Sequence, residues 1–262
     1  MSRIIIVMLL FVSAFAEAQN SGATLPIKGT RVFTDQLDQA YVITEAGEII
    51  KINNKGEQIG SFSSNLGEPA YLDVSNPFKI LVWYPQFYNV LFLDNQMTKV
   101  GELNLQNLAS TGLKVLASAE NNTYWYYSEN AQNLRKINQK GAETAQGVRL
   151  SQYFQASFTP NQLVVRGKKI YLNDPTNGIL VFDNFGAYIT TYPYKNISKF
   201  SLVNNKIQWF DLSQSKYFQY DEKKRIKIEI SLPNSNFERI DVSSTENILF
   251  VLTKNALILH SK

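Results

Sequence analysis

The chain has 262 residues, of which 44% are apolar, 13% aromatic and only 18% charged, with no cysteine. This balance excludes a disordered or collagenous polymer, a disulfide-stapled scaffold, a cysteine nucleophile and a thiolate metal site. Twenty-six Lys and Arg against 22 Asp and Glu leave a net +4 spread along the chain, with no basic arm of the kind that grips nucleic acid.

In chain order, Met1-Ser2-Arg3 places one positive charge before an apolar run from Ile4 to Phe15, and small residues stand at Ala14, Ala16 and Ala18. That is the layout of a secretory signal, and cleavage after Ala18 is expected because the polar Gln19-Asn20-Ser21-Gly22 follows. The run is shorter than the roughly 20 residues a bilayer span needs, and no later segment is longer, so no membrane span is expected after cleavage. The sequence thus predicts a signal peptide at 1–18, a single domain at 19–262, and a periplasmic or secreted product. Without cysteine, packing and backbone ladders alone must hold its fold.

From residue 29 onward, short runs rich in Ile, Val, Leu, Tyr and Phe alternate with Asn, Asp, Gly, Ser and Pro, which spells strands and turns. The clearest unit runs through Gln162-Leu163-Val164-Val165, then 169–174, then 178–183, then 187–192. Its third strand ends at Asp183, and runs that end the same way recur at Asn53, Asp94, Asn138 and Asp221, with a degenerate copy at His260. A repeat near forty residues with four strands per unit predicts an all-β, six-bladed β-propeller of four-stranded antiparallel blades, with boundaries near 64, 108, 155, 195 and 235. Asp and Asn suit each mark because they bond their own backbone in a tight reversal, and Gly56, Gly141 and Gly186 serve the same reversal three residues on. The last unit supplies only three strands. Ala23 to Lys28 is expected to complete it as the outermost strand, since an open ring would leave sheet edges bare, and Pro26 suits an edge.

Lys169-Ile170-Tyr171-Leu172-Asn173-Asp174 followed by Ile179-Leu180-Val181-Phe182-Asp183-Asn184-Phe185-Gly186 resembles the NHL-repeat type of six-bladed propeller. The motif is clear in blade four, and the period covers the whole chain. The resemblance implies a ring with a central channel, one face of which carries the loops between blades and the loops between second and third strands. It also implies binding of proteins, glycans or RNA, or hydrolase, lyase or lactonase chemistry, a choice that fold alone does not make.

Chemistry leaves few marks. The sole histidine, His260, stands two residues from the end of the sequence, and no catalytic residue is assigned. No nucleotide-binding loop is present. Asp73 and Asp241, in innermost strands, are the candidate ligands for an oxygen-coordinated ion such as calcium, although Ser118 and Ser201 at equivalent places read as ordinary wetting of the channel. No cofactor is expected, with calcium the alternative. Tyr84, Phe87, Tyr88, Tyr153, Phe154 and Tyr194 fall at turn positions on one face and are the candidate recognition patch. Trp125-Tyr126-Tyr127 and Trp209-Phe210 read as core, and Glu222-Lys223-Lys224-Arg225 as a solvated tip. The expected function is that of an exported, monomeric, non-catalytic ring that binds a protein or glycan of the envelope or beyond. The alternative is a metal-dependent lyase or lactonase with its ion in the channel.

Overall fold

The computed structural model describes residues 22–233 and 238–262; the expected signal peptide and the boundary near 235 lie outside them. Six four-stranded antiparallel sheets occupy 29–62, 71–104, 113–149, 162–192, 200–230 and 239–261, the last completed by Thr24–Leu25. The expected boundaries at 64, 108, 155 and 195 all fall in the connections between sheets. The innermost strands are Gly29–Thr34, Tyr71–Asp73, Leu113–Ser118, Gln162–Arg166, Phe200–Val203 and Arg239–Ser244.

Ring closure follows the sequence argument. Thr24 pairs with Ile258 and Leu25 with Leu257, while the Leu259 N–H donates to the Ala23 carbonyl. Ile27, just beyond this short strand, is buried with Val42 and Ile52 of blade one and Phe250 and Leu252 of blade six. The closing segment therefore seals the seam by packing as well as by its ladder.

Local turn chemistry explains the repeating marks. Oδ1 of Asn53 accepts from the N–H groups of Lys55 and Glu57, that of Asp94 from Gln96 and Thr98, that of Asn138 from Lys140 and Ala142, and that of Asp183 from Phe185 and Ala187. Asp221 does the same for Lys223 and Lys224. Three of these turns place a glycine at positive φ, whereas blade two places Met97 there, at φ 65°. Burial of the methionine against blade one offsets that strain, and Gly60 makes room for it: a Cβ at Gly60 would lie 2.9 Å from the Met97 Cγ.

Six apolar clusters, one at each junction between neighbouring blades, form the core. Trp125, Tyr126, Tyr127, Trp209 and Phe210 are buried in them, as their central strand positions predict. Glu222 departs from the solvated tip predicted for it. Its side chain is 8% exposed and accepts from Lys169 Nζ at 3.1 Å, the Tyr171 hydroxyl at 3.0 Å and the Tyr192 hydroxyl at 2.7 Å, tying blade five to blade four.

Candidate functional site

An innermost strand pairs on one side only, so its other edge turns unpaired N–H and C=O groups toward the channel, where each needs a partner. Side chains from neighbouring blades supply them. Asp73 of blade two accepts from the Ser118 N–H of blade three at 2.8 Å and from the Ser75 N–H at 3.0 Å. Asp241 of blade six accepts from the Val32 N–H of blade one at 2.9 Å, from its neighbour Val242 at 2.8 Å, and from Lys199 Nζ at 2.6 Å. Lys199 also donates to the Val32 carbonyl. Gln162 of blade four accepts from the Phe200 N–H at 2.8 Å and donates to the Phe200 carbonyl at 2.9 Å. Both aspartates proposed as ion ligands thus give one oxygen to a neighbouring blade and the other to the backbone of their own. Burial holds the Lys199 ammonium below the ordinary lysine range, with the charge of Asp241 opposing it.

Side chains from four blades meet across the axis. The rings of Phe33 and Tyr71 pack edge to face, with centroids 5.6 Å apart. Lys199 Nζ lies 5.0 Å from the centre of the Phe33 ring, and Gln162 Nε2 reaches the Tyr71 hydroxyl at 3.5 Å. Beyond this floor opens a cavity of about 380 Å³, whose mouth is formed by the ends of the innermost strands and the turns that follow them. Asp35, Ser75, Arg166, Asn204, Asn205 and Glu246 line it. Asp35 is spent on the N–H groups of Leu37 and Gln39 and the Tyr41 hydroxyl; burial raises its pKa, and the Tyr41 bond opposes that rise. Of the aromatic candidates, Tyr84, Phe87, Tyr88 and Tyr194 stand on the opposite face, whereas Tyr153 and Phe154 pack on Tyr188 beside the turn that follows Asp183.

Those candidates divide into packed and exposed rings. Tyr84 is buried at 1% exposure between blades one and two. Tyr88 stands edge-on to Trp83 at 6.4 Å, Phe154 is wedged against Phe158 at 5.5 Å and Tyr188 at 5.2 Å, and Tyr194 lies on Trp209 at 4.8 Å. Phe87 and Tyr153 keep 46% and 51% of their surface exposed. Sequence reasoning did not single out Lys199, Gln162, Arg166, Asn204 or Asn205. A signal existed only for the last two, an Asn-Asn pair between apolar runs that adopts left-handed φ of 49° and 59°.

His260 sits on the third strand of blade six, opposite Leu249, away from the channel. Among the described residues no cluster of three or more His, Cys, Asp or Glu is placed to hold a metal ion, and no helix is long and apolar enough to cross a membrane.

No family model matches the chain, and no curated protein matches it in sequence. Its fold is similar to that of a streptogramin B lyase, at 12% identity and a TM-score of 0.61 over 92% of this chain and 96% of that one. It is similar as well to a catalytically inactive histidine-to-alanine variant of virginiamycin B lyase from Staphylococcus aureus with quinupristin, at 9% identity and 0.58 over 94% and 97%. BamB from Moraxella catarrhalis follows at 12% identity and 0.51 over 90% and 85%. At such identities what is shared is the fold; in this chain it is an all-β six-bladed propeller closed by the chain's own first strand.

Proposed function

We propose that the chain is an exported, non-catalytic propeller that holds a protein or glycan of the cell envelope or extracellular space at the mouth of its channel. The observation that carries this reading is the blind cavity of about 380 Å³, at the lower end of the range for small-ligand sites. Its floor is committed to bonds between blades, while polar side chains at its mouth face outward. The one histidine lies off the channel, and Asp35, the buried carboxylate at the mouth, is spent on the Leu37 and Gln39 N–H groups and the Tyr41 hydroxyl, so neither is free to serve as a base. The similar lyase variant is inactive with a single histidine replaced, which fits the same reading.

The test is affinity capture of the full chain from the envelope of its own host, with mass spectrometry of what accompanies it. Gln36→Arg combined with Glu246→Arg crowds the mouth at two exposed turn positions and is expected to abolish capture. Capture that survives this pair yet is lost on replacing Phe87 and Tyr153 by Ser would move the site to the exposed aromatic rings and overturn the reading. Terminal sequencing of the exported product is expected to begin at Gln19.

A further inference from the structure

We infer that the cavity receives the end of a neutral saccharide chain; this rests on the binding reading above and gives its ligand chemistry. The floor made by Phe33, Tyr71, Gln162 and Lys199 blocks passage along the axis, so a polymer can insert a terminus but cannot thread through. The buried carboxylates are already occupied: Asp35, Asp73 and Asp241 each accept two or more internal hydrogen bonds. At the floor, the Tyr71 oxygen accepts from Gln162, which leaves its own proton to donate into the cavity. At the mouth, Arg166 directs one N–H at the Leu202 carbonyl and keeps the rest of its fork for a ligand. Gln36, Asn204 and Asn205 are exposed amides, each offering a donor and an acceptor from one side chain.

Charge decides the class. The mouth carries both signs: Arg166, Asp38 and Glu246 line it together, and the ammonium of Lys262 bonds the Thr245 carbonyl at 2.6 Å on the same rim. A ligand with a net charge of either sign meets its like. A hydroxyl, which donates and accepts through one atom, can satisfy an amide, a guanidinium and a carboxylate alike. The partly exposed Val164 on the wall gives the C–H face of a sugar ring an apolar surface to lie against.

The test is calorimetric titration of the exported protein with chitotriose, cellotriose and maltotriose, and with trigalacturonate as the acidic counterpart. At least one neutral trisaccharide is expected to bind saturably and more tightly than the acid. Tyr71→Phe, which keeps the ring and therefore the packing of the floor, should weaken that binding about three- to tenfold by deleting one hydrogen bond. Failure of all three neutral sugars to the limit of solubility overturns the inference, as does tighter binding of trigalacturonate or indifference to Tyr71→Phe. A captured partner that bears no glycan, yet is lost with the Gln36 and Glu246 replacements, overturns the saccharide inference while the binding reading stands.

Discussion

On one face of the ring Asn204, Asn205 and Glu246 stand exposed around a cavity; on the other, aromatic rings close on one another, Tyr194 on Trp209 at 4.8 Å and Tyr88 on Trp83 at 6.4 Å. The difference follows from what each set of loops must do. Turns on the cavity side link strands that are already paired, and Asx bonds such as those of Asp35 or Asp183 fix them locally, leaving other side chains free. The other side carries, besides the turns between second and third strands, the connections that take the chain from the rim of one blade to the channel strand of the next. The longest, 149–162, has no ladder to hold it and is anchored by burying Leu150 and Phe158, with Phe154 half-buried between blades three and four. An aromatic residue in such a loop is therefore more often an anchor than a contact for a partner.

The strongest way to break both ends together is alkali. Burial pushes the phenols of Tyr124, Tyr126 and Tyr217 up to about 12, and those of Tyr71, Tyr171 and Tyr192 upward as well. Below pH 10 these phenols are protonated in folded and unfolded chains alike, and their contribution to stability is fully present. Between 10 and about 12 the unfolded chain ionises first, so stability falls and is lost as pH passes the folded values. Lys199 works the other way, because burial lowers its pKa and its penalty shrinks as pH rises toward 10.5. Thermal melts are expected to fall as pH rises through 10 and to collapse by about 12; a midpoint still climbing at pH 12 would contradict the burial of these phenols.

Asp241→Ala attacks the wall between the two ends. It strands the Lys199 ammonium in a buried place and leaves the Val32 N–H without its acceptor, and about 3–5 kcal/mol should be lost in urea unfolding. Adding Lys199→Met is expected to restore part of that loss, since no uncompensated charge remains. A double variant weaker than the single would mean that the lysine is held chiefly by the Val32 carbonyl. In the connection between blades three and four, Phe154→Ala removes a ring that touches Phe158 and Tyr188, and being half-buried it should cost about 2 kcal/mol, less than a core phenylalanine.

The number of blades, the closing strand and the reversals were legible because each is written within a few neighbouring residues: the Asx turn at Asp183 is complete by Ala187, and the seam needs only an unpaired edge and a spare extended segment. What escaped reading depends on partners far along the chain. Glu222 looks like part of a charged tip until Lys169 and Tyr171, more than 50 positions earlier, are folded against it. Lys199 has nothing local to distinguish it, and its partner carbonyl at Val32 lies 167 positions away. The floor that makes the cavity blind joins Tyr71 to Gln162 across 91 positions. Tyr84 and Tyr194 sit at strand and loop ends, where the neighbouring blade alone decides whether a ring is covered.

Phe87 and Tyr153 provide the finest discrimination between the polar mouth and the aromatic rings, because they are the aromatic candidates that packing leaves exposed. Replacing both by Ser removes little buried surface, and the unfolding free energy should change by no more than about 0.5 kcal/mol. A substantially larger loss would show that they anchor their loops as Phe154 does. With stability unchanged, any effect on partner capture belongs to recognition, and none is expected if the polar mouth is the binding end. Tyr153 is the more exacting of the two: its ring lies 5.1 Å from Tyr188 and 6.4 Å from Phe154, so Tyr153→Ser also reports whether the packed cluster needs its outermost member.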